Sequence, residues 1–337
     1  MRINTKAPLR VSFAGGGTDV SPFPESEGGA VLSATIDRYA YGSLSPRGDD
    51  QVCIESVDYG LSVDFGIKDS VAFDGKLDLA KAAVRKLCGD DDCGFDLFLH
   101  SNAPPGSGLG SSSTMMVALI GLLVERSRAR LSDYEIAQLA YSLEREDLGI
   151  KGGLQDQYAA VFGGFNYIEF FGDHVVVNPL RVKESTVNEL EHNLLLCYTG
   201  ITREGKHIID DQTGRVTAGE ARTVDALRAQ KRLALEMKRA LLRDELDSFG
   251  SLLGSAWEHK KQMSPRISTP FIDEAYDAAR RNGALGGKVT GAGGGGYLLL
   301  YCDFRRKHRV AEALLALGAT VTEFSFESRG LMTWRVP

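Results

Sequence analysis

Apolar and polar residues alternate along Leu9-Arg10-Val11-Ser12-Phe13, and the run stops at Gly15-Gly16-Gly17. That is the pattern of a half-buried strand ending in a turn. Most of the first hundred residues read the same way. Residues 30–41 are β-rich, 51–65 form a hairpin with its turn near Tyr59-Gly60, and 95–100 are a short strand. The exception is 75–87, where Leu77, Ala80, Val84 and Leu87 share one helical face. Beyond a glycine- and serine-rich loop at 104–114, an apolar helix is predicted from Ser113 to Glu125. Ser132 and Glu135 have the spacing of a capping box and start a helix that runs through Tyr134 to Asp147. A short helix at 156–160 and strands at 164–170 and 175–177 follow. Leu194 to Tyr198 opens a second half as a strand. It continues with helices at 218–245 and 271–281, a strand at 297–301, a helix at 305–317 and a strand at 320–326. The sum is a mixed α+β chain without a short internal repeat.

Composition narrows the classes. The chain has 337 residues, 43% hydrophobic and 25% charged, enough for two modest domains with real cores. The net charge is -6 with both signs interspersed, and no basic arm or polybasic patch is present. Neither a nucleic acid nor a membrane is an expected partner. An anionic substrate must then be held by local Arg and Lys side chains and backbone amides. Five scattered cysteines, Cys53, Cys88, Cys93, Cys197 and Cys302, fit reduced thiols better than a disulfide framework. No secretory signal pattern opens the sequence, and the longest apolar runs are too short to span a bilayer. A cytoplasmic protein is expected.

The 38 glycines are concentrated in a few clusters, and four of these carry chemistry. Pro104-Pro105-Gly106-Ser107-Gly108-Leu109-Gly110-Ser111-Ser112-Ser113 leads into a helix. Glycines let backbone approach a polyanion, and a helix start presents free amides to it. The loop is neither a Walker A sequence nor a dinucleotide fingerprint. A glycine-rich helix entry without ligand is the bland alternative. The second cluster is Gly149 to Tyr158, preceded by Glu144 and Glu146. Phosphoryl transfer needs an acid near the acceptor hydroxyl and an oxygen ligand for Mg²⁺. Asp156 suits the first role and Glu144 the second, although an Asp after a glycine turn is also a common helix cap. The third is Gly286 to Gly296, whose glycines suggest close backbone packing against the loop or substrate, or a plain hinge. The fourth is Gly15-Gly16-Gly17-Thr18-Asp19, where Asp19 can accept hydrogen bonds from sugar hydroxyls. Arg10 either faces that site or is an edge charge.

Together these four segments, in this order, resemble the GHMP kinase superfamily over nearly the whole chain. Lys6 to Asp19 and Gly152 to Ala160 with Phe162-Gly163-Gly164 are closer to the D-glycero-D-manno-heptose 7-phosphate kinases, and in part to L-fucose kinase domains. The resemblance implies a ribosomal-protein-S5-like ATP-binding domain at 1–190 and a ferredoxin-like domain at 191–337. It implies transfer of the ATP γ-phosphoryl group to an anomeric hydroxyl, on the route to nucleotide-activated heptose for surface polysaccharide. Asp156 would be catalytic. Pro105, Gly106, Ser107, Gly108, Leu109, Gly110, Ser111, Ser112 and Ser113 would wrap the triphosphate. Ser112, Ser113 and Glu144, with Glu146 as a substitute for Glu144, would hold Mg²⁺. Arg10, Gly16, Gly17, Thr18, Asp19, Arg203, Lys206, Lys288 and Gly293 would face the sugar or its phosphate. ATP and a sugar phosphate are the expected partners, and a homodimer is allowed. A kinase for another sugar such as L-fucose is the first alternative. A non-catalytic sugar sensor on the same fold would be expected to lose the loop or Asp156, and both are present. A nicotinamide dehydrogenase lacks its βαβ fingerprint here.

Overall fold

A computed structural model describes residues 1–89, 93–202 and 205–337. The chain begins with β1 (Arg2–Ala14), a short helix α1 (Phe23–Glu27) and the long β2 (Gly29–Pro46). The expected hairpin is β3 (Gln51–Ser56) and β4 (Leu61–Gly66), turning at Tyr59-Gly60. Next come α2 (Asp78–Leu87), β5 (Phe95–Ser101), α3 (Ser111–Ser127) and α4 (Asp133–Ser142). The Ser132–Glu135 capping box is formed in both directions. The helix expected to reach Asp147 instead widens into a π-helical turn over Leu143–Asp147. Then follow α5 (Gln155–Phe162), β6 (Phe165–Phe170), β7 (Val175–Pro179), α6 (Glu184–Asn193) and β8 (Leu194–Tyr198).

The remainder is α7 (Lys206–Thr217), α8 (Ala221–Leu242), α9 (Leu246–Lys261), α10 (Pro270–Asn282), β9 (Ala284–Val289), β10 (Tyr297–Cys302), α11 (Phe304–Ala316), β11 (Thr320–Thr322) and β12 (Met332–Val336). The sequence reading missed α1, α6, α7, α9, β9 and β12. It also drew the strand at 320–326 too long: β11 ends at Thr322, and Phe326 only bridges to Ile36.

Two sheets organise these elements. The first runs β12-β1-β2-β5-β3-β4, with β6 and β7 continuing from the other half of β2. All its pairings are antiparallel except β3 with β5. The second runs β11-β8-β10-β9 and is wholly antiparallel. The mixed α+β class read from the sequence holds. The division expected at residue 190 falls inside α6, and the last strand returns to the first sheet, where Lys6 faces Met332 and Arg2 faces Val336.

Alternation along β1 decides where the chemistry lies. Leu9, Val11 and Phe13 are buried in a core shared by both sheets, with Met237 of α8, Phe249 and Leu253 of α9 and Leu299 of β10. Phe13 meets Phe249 edge-on, with ring centroids 5.1 Å apart. Arg10 and Ser12, on the opposite strand face, line a cleft. The shared core thus fixes the position of α9 relative to β1.

Helix α9 lies unusually close to β9 because glycines meet there. A methyl group on Gly286 would stand 2.1 Å from the Gly250 carbonyl oxygen and 2.7 Å from the Gly254 nitrogen. Both obstacles are backbone, so they cannot swing aside. Gly286→Ala should therefore destabilise the protein by roughly 1–3 kcal/mol, the usual cost of overpacking. Urea unfolding would measure it, and a variant as stable as the parent would refute the close-packing account.

Candidate active site

The cleft between the two halves has a volume of about 220 Å³ and is lined by all four glycine-rich segments. Three glycines of the 104–113 loop, Gly106, Gly108 and Gly110, have φ of 73°, 84° and 78°, a region that L side chains avoid. Gly110 is the N-cap of α3 and offers no side chain, so the amides of the first turn stay free for a ligand. Of the loop residues expected to face the nucleotide, Gly106, Gly108, Gly110, Ser111, Ser112 and Ser113 line the cleft. Pro105, Ser107 and Leu109 do not. Leu109 is core, and the Ser107 hydroxyl stands 3.4 Å from that of Ser111.

The 291–296 turn clasps this loop from behind. A methyl on Gly291 would lie 2.5 Å from the Gly108 Cα, and one on Gly296 would lie 2.3 Å from the Ser107 carbonyl oxygen. The Tyr297 amide donates to that same carbonyl at 3.1 Å. This is the close backbone packing that the glycine run suggested, and it excludes a plain hinge.

Asp156 stands across from the loop. Its carboxyl carbon would be 3.3 Å from a methyl on Gly110. It occupies the first turn of α5, whose N-cap is Leu154 without a side-chain cap bond, so Asp156 is not the helix cap. Arg10 holds it: Nε donates to Oδ1 at 2.8 Å and Nη2 stands 2.7 Å from the same oxygen. The third guanidinium nitrogen, Nη1, donates to the Gly108 carbonyl at 2.6 Å. Arg10 therefore faces the site, but its charge is committed to Asp156 and the loop.

Asp19 is buried at the far corner of the cleft. It accepts from the Gly17 amide at 3.0 Å and the Gln155 amide at 3.1 Å, and from Gln155 Nε2. Burial raises its pKa, the neighbouring Asp156 charge adds to the rise, and the amide bonds oppose it. A methyl on Gly153 would collide with its carboxylate, which explains one glycine of the 152–153 pair.

Glu144 lies in the π-helical turn and is only 1% exposed. Ser112 and Ser113 each donate to one of its oxygens at 2.7 Å, and Gln157 Nε2 donates at 2.8 Å. The three expected metal ligands are thus together. Glu146 is exposed and takes a bond from Ser142, away from the cleft.

Several sugar-site residues are placed otherwise than expected. Gly16 and Gly17 line the cleft. Thr18 does not; its hydroxyl is spent on the Gly15 and Ala30 carbonyls. Lys288 is buried under the site and donates to the Ser12 carbonyl at 2.7 Å. Burial and the neighbouring Lys260 and Arg10 charges press its pKa well below the usual value. Gly293 packs on Ile267, and Lys206 is exposed on α7 outside the cleft lining. Arg203 lies outside the described residues.

The structure also brings in residues the sequence reading missed. Arg145, Lys151, Gln155 and Lys260 line the cleft. So does Ser12, whose buried hydroxyl, like the Gln155 side-chain oxygen, has no partner among the described residues. Buried polar atoms left unpaired on a cleft wall are natural contacts for a hydroxyl-rich ligand. The alternation of β1 was a usable signal for Ser12, since it shares a face with Arg10.

Comparison with known proteins fits this geometry. Residues 78–164 match the GHMP kinases N terminal domain, and residues 237–320 match the GHMP kinases C terminal region. The chain is 40% identical to a D-glycero-alpha-D-manno-heptose 7-phosphate kinase of Campylobacter jejuni over 99% of both chains. It is 29% identical to the L-fucokinase/L-fucose-1-P guanylyltransferase of Bacteroides fragilis, over 88% of this chain but 34% of that longer protein. A crystal structure of a D-glycero-D-manno-heptose 1-phosphate kinase from Bacteroides thetaiotaomicron superposes with a TM-score of 0.84, 36% identity and 99% coverage of each chain.

The loop geometry makes one substitution informative. A methyl on Gly108 would be strained by its φ of 84° and would meet the Thr290 carbonyl at 2.7 Å. It would point into the 290–291 turn, so the harm comes from shifting the loop. Gly108→Ala should weaken ATP binding roughly tenfold or more, matching the 1–2 kcal/mol cost of left-handed backbone for a residue with a Cβ. Calorimetry on a folded variant with parental ATP affinity would contradict a phosphate-binding role for this loop.

Proposed function

The chain belongs to the GHMP kinases, and we propose that it uses ATP to phosphorylate the anomeric (C1) hydroxyl of D-glycero-D-manno-heptose 7-phosphate. The product would be the 1,7-bisphosphate. The observation that carries the reading is the placement of Asp156, with its carboxylate beside Gly110 of the phosphate loop in the cleft that also holds Asp19.

In this reading the 106–113 loop and the open first turn of α3 hold the triphosphate through backbone amides. Asp19, Ser12 and Gln155 hold sugar hydroxyls. Asp156 aims the C1 oxygen and accepts its proton as the bond to the γ-phosphorus forms and the bond to the β-phosphate oxygen breaks. Arg10 keeps the Asp156 carboxylate in place and ties it to the loop, so acceptor and donor sit on one rigid frame. A carboxylate flanked by two hydroxyls is a hard oxygen set of the kind that suits Mg²⁺. Glu144, Ser112 and Ser113 would hold it. Bound there, Mg²⁺ would neutralise charge on the phosphates. No helix of the described residues is long and apolar enough to cross a membrane, and the setting we propose is the cytoplasm.

The names of the two heptose-related relatives differ in the phosphate they mention, and our reading follows the 7-phosphate. Lys151, exposed on the cleft rim, would meet that group. Assays with ATP, Mg²⁺ and a panel of heptose 7-phosphate, heptose 1-phosphate, L-fucose and galactose, with products read by phosphorus NMR, test it. The 7-phosphate should exceed free hexoses by at least about tenfold in kcat/KM, or about 1.4 kcal/mol. Equal or better turnover of L-fucose or of the 1-phosphate would overturn the substrate assignment.

Asp156→Asn tests the mechanism. The amide keeps the size but loses the base and the charge that balances Arg10. We expect kcat to fall roughly a hundredfold or more, with ATP affinity changed far less. A folded variant with near-parental kcat would remove Asp156 from the reaction.

A further inference from the structure

The last turn of α9 carries a buried lysine that the mechanism above does not use. The stripe Phe249, Leu253, Ala256 and Trp257 is fully buried, and Lys260 continues it one turn on, 4% exposed. Its side chain enters the cleft from the second half of the molecule. There Nζ donates to the Gly291 carbonyl. Gly291 is the residue packed directly on Gly108. Lys260 thus stands one backbone unit from the phosphate loop, and Asp19 is the acid whose charge it feels.

An ammonium has three protons to give. Among the described residues the one acceptor for Lys260 is the Gly291 carbonyl, and no carboxylate stands within ion-pair distance. Asp156 is already paired with Arg10, which takes its Oδ1 with two nitrogens. Lys288 lies buried nearby and adds to the repulsion. Burial, then the Arg10 charge, push Lys260 down to about 8 against the pull of Asp19. A dry cation with two spare donors on a cleft wall is a standing cost unless an anion arrives.

We propose that Lys260 contacts the terminal phosphoryl group of the bound nucleotide, at the point between the Gly108 turn and the acceptor where that group changes hands. The inference rests on the kinase reading above, but not on which sugar is the acceptor. The oxygens of that group would supply the missing acceptors, and their charge would offset the local excess of positive charge. The ammonium would also stabilise charge spreading over those oxygens during transfer.

Lys260→Met removes the charge at nearly constant shape, and Lys260→Arg keeps it. Calorimetry with Mg²⁺ and either ADP or a non-hydrolysable ATP analogue isolates the terminal group. Lys260→Met should lose about tenfold or more for the analogue and less than about twofold for ADP, with kcat down about a hundredfold, the scale for losing one oxyanion donor. Lys260→Arg should recover part of both. An equal loss for the two nucleotides, or none, would overturn the proposal. Turnover of heptose 7-phosphate and of its dephosphorylated form should fall by the same factor. A loss confined to the phosphorylated sugar would assign Lys260 to the distal phosphate and sink the idea.

A merely structural lysine would leave the pH profile alone. Arg10, Asp19 and Lys288 are the charged groups whose fields reach it. The protonated form binds the phosphoryl group, so the parental kcat/KM should fall as pH rises through about 8. Lys260→Met should lack that limb. If the parent phosphorylates no sugar on the panel, the substrate reading fails, while the ADP–analogue comparison still decides Lys260.

Discussion

One guanidinium ties the candidate site together. Arg10 reaches from the polar face of β1 to the Asp156 carboxylate and to the Gly108 carbonyl, while its own amide donates to Leu109. Three segments far apart in sequence, the first strand, the loop before α3 and the start of α5, are thereby held in register. The pair is dry on the Arg10 side, at 3% side-chain exposure, and open on the Asp156 side, at 19%. An arginine suits this role because its planar fork can serve two acceptors at once, where an ammonium would serve them as a point charge. The carboxylate keeps one face towards the cleft.

The cost of such an arrangement is a concentration of buried charge. Lys260 and Lys288 lie within interaction range of Asp19 and of Arg10, and the burial of either would be costly alone. The molecule manages it by unequal shifts: Asp19 is pushed towards its neutral form and both lysines towards theirs. The apolar frame bears this because β1 turns Leu9, Val11 and Phe13 into a core shared with α8, α9 and β10. The charges are placed by a packed strand and helix, not by a surface loop.

Much of this was legible in the sequence where a residue type is chemically singular. Glycines at 106, 108 and 110 announce a loop with left-handed backbone, and the run 286–296 announces close approach. Glu144 and Asp156 were named from their chemistry and Ser112 and Ser113 from the family resemblance, and all four line the cleft. The basic residues were far less legible. Arg10 and Lys288 carry the expected charge, but one is neutralised by Asp156 and the other faces inward beneath the floor, which depends on partners 146 and 276 residues away. Lys260 sits among His259 and Lys261 and reads as the basic last turn of a helix. Only its place on the buried stripe of α9 distinguishes it. The π-helical turn that swings Glu144 inward has no sequence signature at all.

The return of β12 to the edge of β1 has a consequence for biogenesis. β2 follows β1 closely in the chain and can cover one of its edges soon after it is made. The other edge, from Arg2 to Lys6, must wait for Met332–Val336. Until the chain between them has been made, the nascent protein carries an unpaired strand edge, the kind of surface that recruits other strands.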